Sequence, residues 1–217
     1  MGNIDKISGL YVILDPHFAP HHGEVELAQA IIRGGAQMIQ WRDKLRDKGE
    51  QLPILREIKK LCQESGVLLI VNDHLDLALI ADADGVHVGQ KDLPVSEARQ
   101  FLPRNKVVGV STATLPEALK AQAQGAHYIA VGSIYPTTSK EVTRPAGLET
   151  LREVKRAVSA SVVAIGGINE DNVTPVIEAG ADAICVIGAV LGAPNVEEAT
   201  RSLSIKIEEA KGSKEVS

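Results

Sequence analysis

Charged and amide side chains follow one short apolar segment of the chain, in the run QWRDK. Because side chains alternate along a strand, Gln40, Arg42 and Lys44 share one face, while Trp41 and Asp43 lie on the other. A guanidinium fork and an ammonium group on one face suit a polyanion such as a diphosphate, and we expect them to bind one. The alternative is a solvated loop whose charges pair with neighbouring helices. Trp41 is interpreted as a residue packed between the strand and the helix layer.

Two aspartates follow the next two apolar segments, in the runs VND and GQKD. Asp73 and Asp92 would converge on one hard cation if these segments are neighbouring parallel strands. Mg2+ typically takes one or two protein carboxylates and completes its shell with water and phosphate oxygens. We therefore predict a Mg2+ site beside the diphosphate site. Alternatively, each aspartate caps the helix that follows it.

Hydroxyl groups cluster in the connection 132–147, which is long for a compact domain and therefore favours a functional role. Its hydroxyl donors stand beside an ammonium group, a composition that suits phosphate contact and closure over a substrate. These residues are Thr137, Thr138, Ser139 and Lys140. Ser111 adds a hydroxyl at the end of another segment, where a turn or helix cap is an equal alternative. For the connection itself, the alternative is a merely hydrophilic loop.

Glycines end the last two apolar segments, as the pair Gly166-Gly167 and as Gly188 after Ile187. Glycine lets backbone N–H groups approach a phosphate closely, and a helix N-terminus adds a favourable dipole. One glycine pair alone is weak evidence. A second glycine one segment later strengthens the prediction of a phosphate site.

The histidines do not indicate a metal or a catalytic base. His17, His21 and His22 lack acidic or cysteine partners at a suitable spacing, so we interpret them as surface residues. His87 and His127 lie within apolar segments and are expected in the core. No Ser-His-Asp or Cys-His arrangement is evident, so covalent nucleophilic catalysis is not favoured.

Eight apolar segments, many of them rich in β-branched residues, alternate with amphipathic segments along the chain. They are 10–14, 37–41, 67–71, 85–88, 106–110, 127–131, 161–165 and 183–187. Their near-uniform apolarity is typical of parallel strands covered on both faces. We therefore predict an α/β fold, a single-domain (β/α)8 TIM barrel over 1–217, with function at the C-terminal ends of the strands. The alternative is an open, doubly wound sheet.

Helical signals stand between the predicted strands. Apolar residues from 54 to 62 recur at the spacing of a helix packed on a sheet. Thr114 is predicted to cap a helix, with Glu117 in its first turn. Further helices are expected from Asp171 and over 195–211. All but the last would return the chain to the start of the next strand, and the last follows the eighth strand.

Composition excludes several classes of protein. The 217 residues carry a net charge of -5 and only 3% aromatics, which disfavours nucleic-acid binding. The apolar run 183–193 is far shorter than the ~20 residues that span a bilayer. Cys62 and Cys185 lie in apolar surroundings and predict neither a disulfide nor a zinc site, so a reducing cytoplasm is expected. The oligomeric state stays open, with a homo-oligomer among the options.

Taken together and in this order, the motifs resemble the thiamine-phosphate synthase family. The likeness runs from residue 10 to residue 190, which is most of the chain. Its motifs are QWRDK (40–44), VND (71–73), GVHVGQKD (85–92), GVS (109–111), GSIYPTTSK (132–140), AIGGI (164–168) and VIGAV (186–190). Seven motifs at seven strand ends are far more specific than any one of them.

The resemblance implies an enzyme that joins an aminopyrimidine diphosphate to a (carboxy)thiazole phosphate with release of pyrophosphate. It implies Mg2+ held by Asp73 and Asp92, and catalysis by Arg42, Lys44, Ser111 and Lys140. The aminopyrimidine diphosphate would contact Gln40, Trp41, Arg42, Asp43, Lys44, Asn72, Ser111 and Lys140. The thiazole phosphate would contact Thr137, Thr138, Ser139, Gly167, Ile187 and Gly188.

The chain departs mildly from the family pattern. Ser139 stands where the family often has Thr, Gly188 where Ser is frequent, and Trp41 where Leu or Phe is usual. A hydroxyl or a backbone N–H remains at the first two positions. Rival functions are a thiazole tautomerase or regulatory relative, another phosphate-binding barrel such as a sugar-phosphate isomerase, and a non-catalytic binding module.

Overall fold

Eight parallel strands close into a barrel in the computed structural model, which describes residues 7–137 and 144–215. Each strand pairs with the next along the chain, and the last pairs with the first. The strands are β1 (Gly9–Leu14), β2 (Met38–Trp41), β3 (Leu68–Asn72), β4 (Gly85–Val88), β5 (Val107–Thr112), β6 (Tyr128–Val131), β7 (Ser161–Ile165) and β8 (Ala183–Val186). The predicted (β/α)8 barrel is confirmed, and the sheet is not the open, doubly wound alternative.

The strands form where the sequence is apolar on both faces. Every residue of β1, β2, β4, β6 and β8 is buried. One face of each strand fills the barrel and the other packs on helices, so burial stabilises both. Closure leaves all eight C-terminal ends at one rim, where the predicted site residues stand.

Helices connect the strands around the outside of the barrel. They are α1 (Glu24–Arg33), α2 (Lys48–Ser65), α3 (Leu75–Ile80), α4 (Val95–Phe101), α5 (Leu115–Ala123), α6 (Gly147–Ala157), α7 (Val173–Glu178), α8 (Gly188–Leu191) and α9 (Val196–Glu215), with a short 3-10 helix at Pro16–Phe18. The predicted cap of α5 is confirmed, since the Thr114 hydroxyl accepts from the Glu117 N–H. The helix predicted from Asp171 begins at Val173, because the Asn169 carboxamide accepts from the Asp171 N–H and holds that residue in a turn.

The described residues contain no helix with the length and apolar character needed to cross a membrane. Cys62 and Cys185 are both buried, and neither is in a disulfide. Burial, with the nearby carboxylate of Asp84, raises the pKa of Cys62 to about 12. Cys62 is therefore a core residue rather than a nucleophile.

Candidate active site

An ion pair between Arg42 and Asp15 joins the ends of β2 and β1. The Arg42 backbone N–H continues the sheet by donating to the Leu14 carbonyl, at 3.0 Å. Its guanidinium donates from Nη1 to the Asp15 carboxylate, whose side chain is only 3% exposed. The pair therefore holds a guanidinium fork, with five N–H donors in all, at the rim of the barrel.

Lys44, Asp73 and Asp92 come together across the ends of β2, β3 and β4. Lys44 Nζ lies 2.5 Å from Asp73 Oδ2, and the Asp73 and Asp92 side chains are within hydrogen-bonding reach of each other. Burial alone would raise the pKa of Asp73. The ammonium of Lys44 and the hydrogen bond with Asp92 outweigh burial and lower that pKa below its ordinary value. Two predicted metal ligands and one predicted diphosphate ligand therefore share one corner of the rim.

Neither aspartate caps the helix that follows it. Residue His74 precedes α3, and Pro94 precedes α4. Asp73 has a left-handed backbone with φ of 59°, and its N–H donates to the His87 carbonyl of β4. Asp92 Oδ2 instead accepts from the Gly89 N–H at 2.8 Å. The capping interpretation is wrong for both, because the Asp73 carboxylate pairs with Lys44 and the Asp92 carboxylate accepts from the N–H that follows β4.

The pair of carboxylates fits what Mg2+ requires from a protein. The cation keeps several waters and needs only one or two carboxylates beside substrate phosphate oxygens. Asp73 and Asp92 supply that donor set, and Lys44 stands beside it to meet the phosphate charge, with Arg42 two positions earlier at the end of β2. Within 7–137 and 144–215, no group of three or more His, Cys, Asp or Glu is placed to hold a metal. A full protein cage of the kind that binds structural zinc is therefore not present in these ranges.

A cavity of about 670 Å³ opens at the same rim, at the ends of β5 to β8. Its walls include five of the predicted site residues, namely Ser111, Thr137, Gly167, Ile187 and Gly188. The first is a predicted pyrimidine contact, and the other four are predicted thiazole phosphate contacts. The fold therefore brings the two predicted half-sites to adjoining parts of one rim.

Gln40 and Ser111 are tied into the interior of the barrel. Gln40 is 2% exposed and donates from Nε2 to the hydroxyl of Tyr11 at 2.5 Å. Ser111 Oγ lies 2.8 Å from Nε2 of His87. Asn72 ends β3 and is partly buried, in register with His87 of β4. These polar residues therefore lie on the buried, inner side of this end of the barrel rather than at its solvent-exposed edge.

The side chains of Trp41 and Asp43 point away from this site, so a contact of either residue with the pyrimidine diphosphate would be made by its backbone. Trp41 is 1% exposed, and its indole N–H donates to Gln51 of α2 at 3.0 Å. The Asp43 carboxylate accepts from the guanidinium of Arg46 and from the backbone N–H groups of Leu45 and Arg46. The alternation of side chains along QWRDK sends both outward, so they hold the β2 to α2 connection.

Three predicted contacts, Thr138, Ser139 and Lys140, lie outside the described residues. The structure resumes at Arg144, which lines the cavity and donates from Nη2 to Glu117 Oε1 at 2.6 Å. Arg144 is not among the residues predicted from the sequence. The feature of the sequence that could have identified it is its position, a basic residue a few positions after the hydroxyl cluster.

Other residues at the rim were also missed. Asp15 ends a strand just as Asp73 does, so the same reasoning would have found it. Gln90 lines the cavity and donates to the Ser111 carbonyl at 2.7 Å. The contact between Tyr11 and Tyr128, 117 positions apart, has no local signal in the sequence.

Comparison with known proteins identifies the family. The family model described as thiamine monophosphate synthase matches residues 10–190 of the sequence. A thiamine-phosphate synthase from Shouchella clausii is 48% identical over 202 residues, which cover 93% of this chain and 97% of that protein. A solved thiamine phosphate pyrophosphorylase from Pyrococcus furiosus is 41% identical with a TM-score of 0.87, covering 96% of this chain and 98% of that one. The chain therefore belongs to the thiamine monophosphate synthase family.

Proposed function

We propose that the thiamine-phosphate synthase activity of this chain takes place at the rim of its barrel. There an aminopyrimidine diphosphate and a thiazole phosphate, carboxylated or not, would combine to form thiamine phosphate and release pyrophosphate. The observation that carries the proposal is the juxtaposition of a charged corner with a cavity of about 670 Å³. The names of relatives such as the one from Shouchella clausii support the activity.

The charged corner would bind the diphosphate. Arg42 offers a fork that matches phosphate oxygens, and Lys44 offers a point charge. Lys140 would add a third cation, as the family resemblance implies. When bound to Asp73 and Asp92, Mg2+ supplies positive charge that stabilises the departing pyrophosphate. Negative charge accumulates on that group in the transition state, so the side chains here bind it more tightly as the bond breaks.

The reaction would be a dissociative substitution at the methylene carbon of the pyrimidine. The bond from this carbon to the diphosphate oxygen breaks, and the electron pair leaves with the oxygen. The electron-rich aminopyrimidine carries the resulting positive charge. The thiazole nitrogen then forms the new carbon–nitrogen bond with its own lone pair, so no general base is required. This agrees with the absence of an evident catalytic dyad in the sequence.

The cavity would hold the thiazole phosphate. Thr137, Gly167, Ile187 and Gly188 line it, and Thr138 and Ser139 would join them as the family resemblance implies. Backbone N–H groups at the glycines can approach a phosphate closely. The acceptor nitrogen would then face the pyrimidine across the ends of β5 and β6.

The rival activities use only part of this site. A thiazole tautomerase or regulatory relative needs the phosphate cavity but has no use for a diphosphate corner. A sugar-phosphate barrel shares the fold, as 3-hexulose-6-phosphate synthase shows with a TM-score of 0.70 at 20% identity, which is evidence of fold alone. The combination of Arg42, Lys44, Asp73 and Asp92 favours the synthase.

The test is turnover by the purified chain with Mg2+, aminopyrimidine diphosphate and thiazole phosphate. We expect pyrophosphate and thiamine phosphate to appear in equal amounts. Omitting either substrate is the control, because release of pyrophosphate without the acceptor would indicate hydrolysis. Binding of both ligands without product would support the regulatory alternative instead.

We also propose a cytoplasmic location. Both cysteines are buried thiols outside any disulfide, which suits a reducing compartment. The magnesium dependence rests on the donor set of Asp73 and Asp92 and on the family resemblance. It is tested by the chelator and Mg2+ titrations described below.

A further inference from the structure

A chain of hydrogen bonds runs through the barrel from Gln40 to Ser111. Gln40 Nε2 donates to the Tyr11 hydroxyl at 2.5 Å, and the Tyr11 and Tyr128 hydroxyls are 3.0 Å apart. The Tyr128 hydroxyl lies 2.9 Å from Nδ1 of His87, and Nε2 of His87 lies 2.8 Å from Ser111 Oγ. The first four members are 6% exposed or less, so nearly every link forms away from water. Both ends of the chain are predicted pyrimidine contacts.

The direction of the protons follows from counting donors. The Tyr11 oxygen accepts a hydrogen bond from Gln40, so the hydroxyl proton of Tyr11 is left to donate to the oxygen of Tyr128. Tyr128 then donates its single proton to Nδ1 of His87. In the reverse direction, the Tyr11 oxygen would accept hydrogen bonds from both Gln40 and Tyr128. The Tyr11 proton would then lose its acceptor, the Tyr128 oxygen 3.0 Å away. A buried donor without an acceptor is costly, which favours the first direction.

Both tyrosines are present as the neutral phenol. Burial raises the pKa of Tyr11 well above its ordinary value, with further increases from Tyr128 and Cys185. Burial also raises the pKa of Tyr128, and the hydrogen bond from Tyr11 opposes that change only in part. Each hydroxyl therefore carries one proton to give, as the count requires.

We propose that this chain fixes His87 as the tautomer protonated on Nε2, and thereby makes Ser111 a hydrogen-bond donor toward the cavity. With Nδ1 accepting from Tyr128, the remaining ring proton sits on Nε2 and is donated to Ser111 Oγ. The Ser111 proton then points away from His87, into the space that Ser111 lines. Tyr128 and His87 are positioning residues, because they act through Ser111.

The consequence for recognition is specific. Ser111 selects a substrate atom that accepts a hydrogen bond, such as an aromatic ring nitrogen or a phosphate oxygen. An N–H group at the same place could use only the second lone pair of Ser111 Oγ, and it would leave the Ser111 proton without an acceptor there. This role in recognition rests on the proposed function, whereas the tautomer of His87 does not.

Gly109 provides independent support for the placement of Tyr128. A Cβ added at Gly109 would lie 1.9 Å from Cζ of Tyr128 and 2.4 Å from its hydroxyl oxygen. The two residues face each other in register across β5 and β6. The ring of Tyr128 also stacks on His87, with centroids 5.6 Å apart and planes 24° apart. The absent side chain at Gly109 thus makes room for the phenol that orients the imidazole.

The direct test is the tautomer of His87 by long-range 1H–15N correlation NMR on the free protein near neutral pH. We expect the Nε2–H pattern, assigned by its loss in His87→Gln. Tyr128→Phe should abolish the fixed tautomer and give a mixture. The matched control is Tyr135→Phe, which removes a hydroxyl bonded to Asn172 and should leave the signal unchanged. An Nδ1–H tautomer or an imidazolium in the wild-type protein would overturn the proposal.

Two substitutions of His87 test the positioning role by kinetics. The amide of Gln places an N–H group where Nε2 stands, whereas Asn places one where Nδ1 stands. His87→Gln should keep kcat/KM within about threefold of wild type, and His87→Asn should lower it about tenfold or more, the scale of one hydrogen bond. Equal losses in both variants contradict the role of His87. If the wild-type protein has the Nε2–H tautomer but makes no thiamine phosphate, the proposed function fails and the tautomer stands.

Discussion

Asp73 and Asp92 lie within hydrogen-bonding reach of each other, although 19 positions separate them in the chain (92 − 73). The ends of β3 and β4 hold them there, and the second strand also receives the N–H of Asp73 at its His87 carbonyl. Two carboxylates this close repel each other when both are ionised. Lys44 relieves that repulsion in the free protein, and a divalent cation would relieve it more strongly.

Asp92→Asn is therefore expected to remove most of the activity without unfolding the protein. The amide can still accept from the Gly89 N–H, so the free energy of unfolding should change by less than about 1 kcal/mol. We expect kcat/KM to fall at least about 100-fold, because charge stabilisation by a bound metal is worth several kcal/mol. The measurement is velocity against Mg2+ concentration, with a chelator arm for the wild type.

Asp76→Asn is the matched control for this prediction. Asp76 lies three positions after Asp73, but it is 54% exposed and pairs with Lys48 of α2. The Asp76→Asn variant should have the same Mg2+ dependence and the same kcat/KM as the wild type. Equal damage from Asp76→Asn and Asp92→Asn would mean that general surface charge, rather than a specific ligand pair, supports the activity.

Asp43 should contribute to stability in a pH-dependent way. Burial opposes its ionisation, but the N–H groups of Leu45 and Arg46 and the Arg46 guanidinium lower the pKa of Asp43 below its ordinary value. A carboxyl whose pKa is lower in the folded state stabilises the fold above the unfolded pKa of about 3.9, and this stability is lost as the pH falls through the folded pKa. Asp43→Asn should therefore cost about 2 kcal/mol at pH 7.

Urea unfolding at pH 7 and at about pH 3 measures this effect, since the difference between wild type and Asp43→Asn should shrink at the lower pH. The control is Glu149→Gln, which removes a carboxylate that is 74% exposed and paired with Arg152. It should change the free energy of unfolding by well under about 1 kcal/mol at either pH. A constant difference for Asp43→Asn across pH would show that packing, and not charge, is responsible.

Cys62 should be inert toward thiol reagents in the folded protein. It is fully buried, and its pKa of about 12 leaves almost no thiolate at pH 8. In a Cys185→Ser background, we expect no reaction with a coloured disulfide reagent until concentrated guanidinium chloride unfolds the chain. Fast labelling of the native protein would mean that α2 opens readily from the barrel.

The sequence predicts the barrel well because its signal is local. Each buried strand is a run of apolar residues, and each strand end is marked by the first polar residue after it. Arg42 is found by this rule alone, and so is Asp15, while Asp73 and Asp92 lie one and two positions beyond the first polar residue after their strands. Chemistry that depends on contacts between distant segments could not be found. Tyr128 reads as an ordinary core residue until β1 places Tyr11 against it.

Gly167 illustrates the same limit, because its role depends on a neighbouring segment. From the sequence, this glycine is predicted to let backbone N–H groups approach a phosphate. In the structure it has a φ of +67°, and an added Cβ would lie 2.5 Å from the Pro136 carbonyl oxygen and 2.8 Å from Tyr135 Cβ. The glycine therefore also lets the connection after β6 pack against the end of β7. This packing sets the position of Thr137, which lines the cavity.

Gly167→Ala should consequently damage both stability and substrate affinity. Gly66→Ala is the matched control, since Gly66 has a φ of +69° but nothing within 4 Å of its added Cβ. Both variants should lose about 1–2 kcal/mol from the left-handed backbone. Only Gly167→Ala should also lower kcat/KM, by about 10- to 100-fold through displacement of the cavity wall, with a raised KM for the thiazole phosphate. If the two variants lose equal stability and both keep wild-type kinetics, the contact with Pro136 does not position the cavity wall, and the acceptor site must be built from other residues.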